Sequence, residues 1–483
     1  MPTLHGVRLW DEDRTIDLRI PDADGPCLHD EDALTDGDID AEGYILAPGL
    51  ADPHVHFRDP GQTRKESMIS GARAAASGGY TQVLVMPNTL PALDGAPARR
   101  GETGADEVLD AGARDAIDYL QHYETIHGLD LPVHYDLSVC ASADRAGERP
   151  SDPRDWSRYL VGGEAEHQDS RHPVTAMSDD GSAVSDTVLD AALAHARGAH
   201  LRLLEHCEHH EAGVMNEGSV NRRLGLPGIP ASTELTIVER DIDAARRTGT
   251  PIHFQHVSTA KAFDAVRGAK REGLPITCET APHYLALCDE DVARYGTLAK
   301  MNPPLRSRGD REATLRAIAD GTVDMIATDH APHTTLEKQG TFLEAPNGII
   351  GLETAYAVCH SVLVDGGIID ERRLIELMAV APTRFMGHDP TDVHALAAQA
   401  HGPSRVVDLG GLSDLSVDAR NPQGANLVVL CPGQRWTIDP ERFHSMARNT
   451  PFGGWHVSGL PVATIMDSRL VFSRIPRTRR QGA

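Results

Sequence analysis

Lysine is nearly missing from this chain. Five occur in 483 residues (Lys65, Lys261, Lys270, Lys300 and Lys338), and the other 41 basic residues are arginine. Acidic residues number 71, so the formal charge is -25. That balance repels phosphates and anionic lipid, and excludes a nucleic-acid or membrane-surface partner. The same excess suits a halophilic chain kept soluble in high salt, where screening removes self-repulsion. An acidic protein of ordinary cytoplasm is the plainer alternative, and loss of structure on desalting separates the two. Aromatics are also scarce, at 4%, so a core drawn from 40% hydrophobic residues must be aliphatic. The seven cysteines (Cys27, Cys140, Cys207, Cys278, Cys288, Cys359 and Cys431) are odd in number, scattered and without a CxxC pair. This excludes a disulfide framework and fits a reducing compartment. No apolar run reaches about 18 residues, and Asp11, Glu12 and Asp13 stand where a leader peptide would be apolar. The expectation is a cytoplasmic protein.

The length suits one barrel of ~250 residues with insertions and a smaller domain. Eight short apolar stretches alternate with amphipathic helical ones: ILAPGLADPHVHF, TQVLVMPN, VHYDLSVC, VTAMSDD, LRLLEHCE, IHFQHVS, ITCETAPHY and DMIATDHAP. Helices are expected at ESMISGARAAASGG, SDTVLDAALAHARG and TAKAFDAVRGAKREG, each closed by glycine. Parallel β/α units in that number predict an α/β fold, a (β/α)8 TIM-like barrel. Both chain ends are β-rich, which predicts a small β-sandwich domain made from the two termini. The expected boundaries are 1–47 for its N-terminal part, 48–386 for the barrel, and 387–483 for an insertion plus its C-terminal part. Residues 95–112 and 143–170 read as surface excursions, and 387–423 as irregular.

The chemistry lies where these strands end. In a parallel barrel all strand C-termini share one face, so distant residues converge there. His54 and His56 are two apart on a strand and point the same way, as a shared metal requires. His206 and His256 end the fifth and sixth strands, and Asp329 ends the eighth. Each alone has a bland reading, a hydrogen-bonded histidine or a helix cap; together they suggest a zinc site with Asp329 as ligand and proton carrier. A pair of ions needs an anionic bridge. No lysine falls between Lys65 and Lys261, so a carboxylated lysine on the third or fourth strand is excluded, and Asp179 or Asp180 is left for the role.

Several blocks together resemble the metal-dependent amidohydrolase superfamily, and within it the dihydroorotases. They are APGLADPHVHFRDPGQTRKE, GGYTQVLVMPNTLPALD, SDDG, EHCE, QHVSTA, ETAPHYL, KMNPPLR, ATDHAPH and the late NTPFGGW. The resemblance is to the class with aspartate in place of the carboxylated lysine. It implies one or two zinc ions, held by His54, His56 and Asp329 and by His206 and His256, with Asp180 as the bridge. It implies that Arg58 and Asn88 hold a substrate carboxylate and that Asn302 and His333 complete the pocket. The loop before GLET, often Phe-Gly in the family, reads Asn347-Gly348 here. The implied reaction is reversible opening of dihydroorotate to N-carbamoyl-aspartate. A homo-oligomer and an association with aspartate transcarbamoylase are left open. The rivals are a hydantoinase or allantoinase, and a non-catalytic scaffold, which would have lost metal histidines. Cys207, next to His206, is expected to point away from the metal; Cys278 and Cys288 read as core fillers, His209 and His210 as a solvated turn or helix start, and Lys65 and Glu66 as the charged face of the first helix.

Overall fold

The computed structural model describes residues 3–20, 28–29, 38–162, 172–209, 212–398, 406–409 and 424–475. Eight parallel strands form one sheet: β1 (Leu50–Val55), β2 (Tyr80–Val85), β3 (His134–Cys140), β4 (Val174–Ser178), β5 (Arg202–His206), β6 (Ile252–Gln255), β7 (Ile276–Thr280) and β8 (Met325–Ile326). They pair in chain order, so each expected strand is present and in place. β1 and β2 are buried along their whole length, as a sheet covered on both faces requires.

Helices follow the strands on the outside. α1 (Met68–Ser77) starts at Ser67, whose hydroxyl accepts from the Ser70 amide, and stops at Gly78. Its inner face is alanine-rich, which lets it lie close to the sheet. α2 (Leu189–Gly198), α3 (Ser232–Thr248), α4 (Ala260–Arg271) and α5 (Arg308–Ala319) repeat the pattern. Thr259 and Ser307 cap the starts of α4 and α5.

β1 and β8 are not paired as a regular ladder. Their junction is closed by side chains and by the segments just beyond them. Asp52 accepts from the Thr328 hydroxyl at 2.5 Å and from the amides of Thr328 and His54 at 3.2 and 3.1 Å. Further on, Val55 bridges to His330 and the His56 amide donates to the His330 carbonyl at 2.9 Å.

Among the described residues, the second sheet has nine strands and draws on both chain ends. Thr3–Leu9, Thr15–Arg19 and Ile45–Pro48 come from the start, and Leu427–Thr437, His456–Met466 and Arg469–Ser473 from the end. Strand alternation divides its side chains between two cores. Val428 and Leu430 pack with the barrel, while Leu427 and Val429 pack with Leu4, Val7, Leu18 and Ile465. Val406–Asp408, inside the stretch expected to be irregular, pairs with Thr15–Arg19, and Val393–Ala398 is helical. Residues 399–405 and 410–423 lie outside the described residues, as do Cys27 and His210.

The excursion read at 143–170 is not all surface. Trp156 and Tyr159 are buried in the barrel core, and Ala105 and Val108 of the other excursion are buried too. No helix among the described residues is long and apolar enough to cross a membrane.

Asp52→Ala would leave the Thr328 and His54 donors buried without an acceptor. The expected result is a loss of about 3 kcal/mol, read as a lower urea midpoint. An unchanged midpoint would show that the seam is held by other contacts.

Candidate metal centre and pocket

The strand ends bring six ionisable groups into one buried space. His54 lies in β1, His56 just past it, Asp180 past β4, His206 at the end of β5, His256 past β6 and Asp329 past β8. All six are 6% exposed or less. Asp180 lies at the middle. Its Oδ1 is 3.3 Å from His54 Nε2 and 3.4 Å from His206 Nδ1, and its Oδ2 is 3.2 Å from His56 Nε2. Asp329 Oδ1 is 3.1 Å from His56 Nε2 and 3.6 Å from His54 Nε2. His256 Nε2 is 2.9 Å from His206 Nδ1.

Among the described residues, two sets of three could each hold a metal ion: His54, His56 and Asp329, and His54, Asp180 and His256. The donor chemistry fits such an ion. His54 Nε2 and Asp180 Oδ1 are buried and form no hydrogen bond, a costly state that a coordinated cation relieves. Burial alone would raise the Asp180 carboxyl, yet His54 and His56 hold it well below the usual range. Burial also opposes ionisation of Asp329, and the histidines nonetheless bring it to about 2. Both carboxylates are therefore ionised.

The two adjacent aspartates divide cleanly. Asp180 faces the histidines, while Asp179 accepts from the Ser142 amide at 3.0 Å and from its hydroxyl at 2.5 Å. Arg145 Nη2 donates to the Asp180 carbonyl at 2.6 Å and braces the same turn.

A second layer orients the imidazoles. Glu279 Oε1 lies 2.7 Å from His54 Nδ1 and its Oε2 lies 3.0 Å from His253 Nε2. His253 and His54 hold Glu279 at about 2 against the pull of burial. Asn88 Oδ1 is 2.9 Å from His56 Nδ1, and Asn302 Nδ2 is 3.0 Å from His206 Nε2. Such outer partners fix tautomer and ring orientation. Asn88 thus braces a histidine through its oxygen while its amide nitrogen stays near Gly181.

Above the cluster is a cleft of about 110 Å³. Every residue singled out from the sequence lines it except His54, which is fully buried beneath, and His333. Arg58 is buried at its edge. Burial lowers its guanidinium to about 10, so it stays charged, and its Nε donates to the Pro332 carbonyl at 3.4 Å. No carboxylate pairs with it among the described residues. His333 Nε2 donates to the Asn347 carbonyl at 2.7 Å, which leaves Nδ1 buried without a hydrogen bond, 3.9 Å from Glu337 Oε2. Burial beside Arg58, Lys65 and Lys338 drives His333 down to about 2, so it is neutral.

Gly348 has φ 121°, and a Cβ there would come 2.6 Å from the Ala331 Cβ. This position of the loop requires glycine. The loop is held from behind by two buried lysines. Lys300 Nζ donates to the carbonyls of Leu343 and Ala345, and Lys338 Nζ to those of Thr297, Lys300 and Pro346.

The sequence reading of Lys65 and Glu66 is corrected. They precede α1 and are buried, at 9% and 0% exposure. Lys65 pairs with Glu337 at 3.4 Å. Glu66 accepts from the Ser445 hydroxyl and the Met446 amide and lies 3.4 Å from His330 Nε2. A charge can be buried there because its partners arrive from the far end of the chain. Cys207, Cys278 and Cys288 are buried as expected, and His209 is exposed. Glu279 and Asp52 escaped the sequence reading. The available signal was a carboxylate inside an otherwise apolar strand, in ITCET and LADPHV.

This geometry defines a metal-dependent hydrolase site on a barrel, and comparison with known proteins agrees. The sequence profile of the Amidohydrolase family matches residues 45–391, and the chain belongs to that family. Within it, several curated relatives are dihydroorotases. Those of Anaeromyxobacter dehalogenans and Geobacter metallireducens are 39% and 37% identical over 445 and 440 residues, covering 90% of this chain and 87% and 89% of theirs. That of Enterococcus faecalis is 36% identical over 439 residues, covering 90% of this chain and 89% of its own. Among solved structures, the L-hydantoinase of Arthrobacter aurescens aligns with a TM-score of 0.70 at 20% identity, over 98% of this chain and 96% of its own. The dihydropyrimidinase of Brevibacillus agri aligns at 0.67 and 19%, over 98% and 95%. At that identity the likeness concerns the fold.

Glu279→Gln keeps the volume and removes the charge behind His54. Metal affinity is expected to fall about 10- to 100-fold, measured by competition with a chromophoric chelator. Unchanged affinity would remove Glu279 from the support of the site.

Proposed function

We propose that the chain is a zinc-dependent dihydroorotase. It opens the ring amide of (S)-dihydroorotate to N-carbamoyl-L-aspartate and closes it again, the closing direction serving pyrimidine synthesis in the cytoplasm. One observation carries the reading: a buried, charged Arg58, without a carboxylate partner among the described residues, lies at the edge of a cleft floored by the His–Asp cluster. The substrate's carboxylate is the missing partner. A guanidinium fork meets a carboxylate through two hydrogen bonds. A hydantoin or allantoin offers no such group, and the lysine bridge common in those enzymes has no counterpart here. The intact ligand set speaks against a non-catalytic scaffold.

In this reading His54, His56 and Asp329 would hold one zinc, His206 and His256 would serve a second, and Asp180 would be the carboxylate shared between them. When bound, zinc would supply Lewis acidity for the carbonyl and for a water near neutral pH. Arg58 and the Asn88 amide fix the carboxylate, so that the ring lies with its amide over the cluster. Asn302, the neutral His333 and the backbone of Asn347 and Gly348 hydrogen-bond the ring. Asp329, ionised before substrate arrives, accepts a proton from the attacking water and delivers it to the departing ring nitrogen. In the closing direction it takes the proton from the amide nitrogen.

The resemblance also carries the expectation of a homo-oligomer and of an association with aspartate transcarbamoylase. Sedimentation of the purified chain, alone and with that enzyme, tests both. The acidic composition carries the expectation that activity survives high salt and falters on desalting.

The direct test is turnover of dihydroorotate with and without added zinc, at low and high salt. No turnover in any condition would overturn the reading. Asp329→Asn is expected to keep the fold and lower kcat about 1000-fold; near-normal kcat would remove it as the proton carrier. Arg58→Ala is expected to raise KM for dihydroorotate about 10- to 100-fold. An unchanged KM would contradict the carboxylate clamp.

A further inference from the structure

The late block Asn449-Thr450-Pro451-Phe452 has no part in the chemistry above, yet its first residue reaches the pocket wall. Asn449 is 2% exposed. Its Oδ1 accepts from the His333 amide at 3.0 Å, and its Nδ2 donates to the carbonyls of Ala331 and Gly348, both at 3.0 Å. Its own carbonyl accepts from the Ile350 amide at 3.1 Å. Ala331 and Gly348 both line the cleft.

The side-chain amide therefore spends both hydrogens and its oxygen on two segments of the pocket wall. One is the exit of β8, which carries Asp329 and His333. The other is the loop that carries Asn347 and Gly348. The backbone bond from Ala331 N to the Ile349 carbonyl sets their register. His333 then closes the same junction by donating to the Asn347 carbonyl at 2.7 Å. A primary amide is the shortest side chain that offers two donors and an acceptor in one plane. Aspartate, its nearest match in shape, would lose both donors and set a carboxylate against two carbonyls.

We propose that Asn449 is a positioning residue: its amide locks the β8 exit to the Gly348 loop and so sets the wall against which the substrate ring is held. It touches neither the candidate metal ligands nor the reacting atoms. Its effect runs through the placement of His333 and Gly348, and so falls on binding more than on the chemical step. The claim about substrate rests on the dihydroorotase reading; the claim about the wall does not.

The test compares wild type with Asn449→Asp and Asn449→Ser. Three quantities are measured: amide hydrogen exchange over residues 331–334 and 346–351, zinc content, and KM and kcat for dihydroorotate. Zinc content is expected to stay at the wild-type level. Exchange should quicken about tenfold in those two segments and stay unchanged elsewhere, as loss of two hydrogen bonds implies. KM should rise about tenfold, with kcat changed less. Unchanged exchange in both segments overturns the proposal, as does a fall in kcat at constant KM. If wild type does not turn over dihydroorotate, the functional reading fails while the exchange comparison still decides the wall. Should neither variant fold, wild-type exchange decides it, since unprotected His333 and Ile350 amides would overturn the lock.

Discussion

The site depends on a barrel that closes without a regular last ladder. β1 and β8 are joined by Asp52 reaching Thr328 and by the contact of Val55 and His56 with His330. That seam places His54 and His56, from the first strand, beside Asp329, which lies almost three hundred residues later. A side chain can close the gap because a carboxylate accepts several donors at once, which a single backbone carbonyl does poorly. The same carboxylate receives the His54 amide, so barrel closure and ligand placement share one residue.

Two of the six clustered residues carry backbone strain. His256 and Asp329 have φ of 36° and 49°, a region non-glycine residues seldom occupy. Both lie just past a strand end, where the chain must turn away while the side chain still points inward. Glycine would relax the backbone and delete the ligand. Each such residue costs about 1–2 kcal/mol, and the buried surroundings hold them in place. The cluster is therefore imposed by the fold.

Much of this could be read in the sequence, for a local reason. Each strand is a short apolar run bounded by polar residues, and the candidate ligands stand at the ends of those runs. His54, His56, His206, His256 and Asp329 needed only the rule that parallel strands finish on one face. The choice of Asp180 over Asp179 needed family spacing, because the two differ by which side of one turn they occupy. What escaped has partners far along the chain. Glu66 looked like helix surface, but Ser445 and Met446 lie about 380 residues away. Glu279 supports a histidine 225 residues earlier. Trp156 and Tyr159 sat in a polar-looking stretch whose few apolar residues turn inward. Local pattern reports burial of a whole element and is silent about a lone charge or ring met by a distant segment.

The few lysines have a further consequence. Lys65, Lys300 and Lys338 are buried, and Lys300 and Lys338 donate to two and three carbonyl oxygens. Lys261 and Lys270 remain, both on α4, and the latter is paired with Asp324. To an amine-reactive dye, crosslinker or activated resin, the described surface offers side-chain handles on one helix alone. Coupling through them would fasten every molecule to a support in nearly the same orientation.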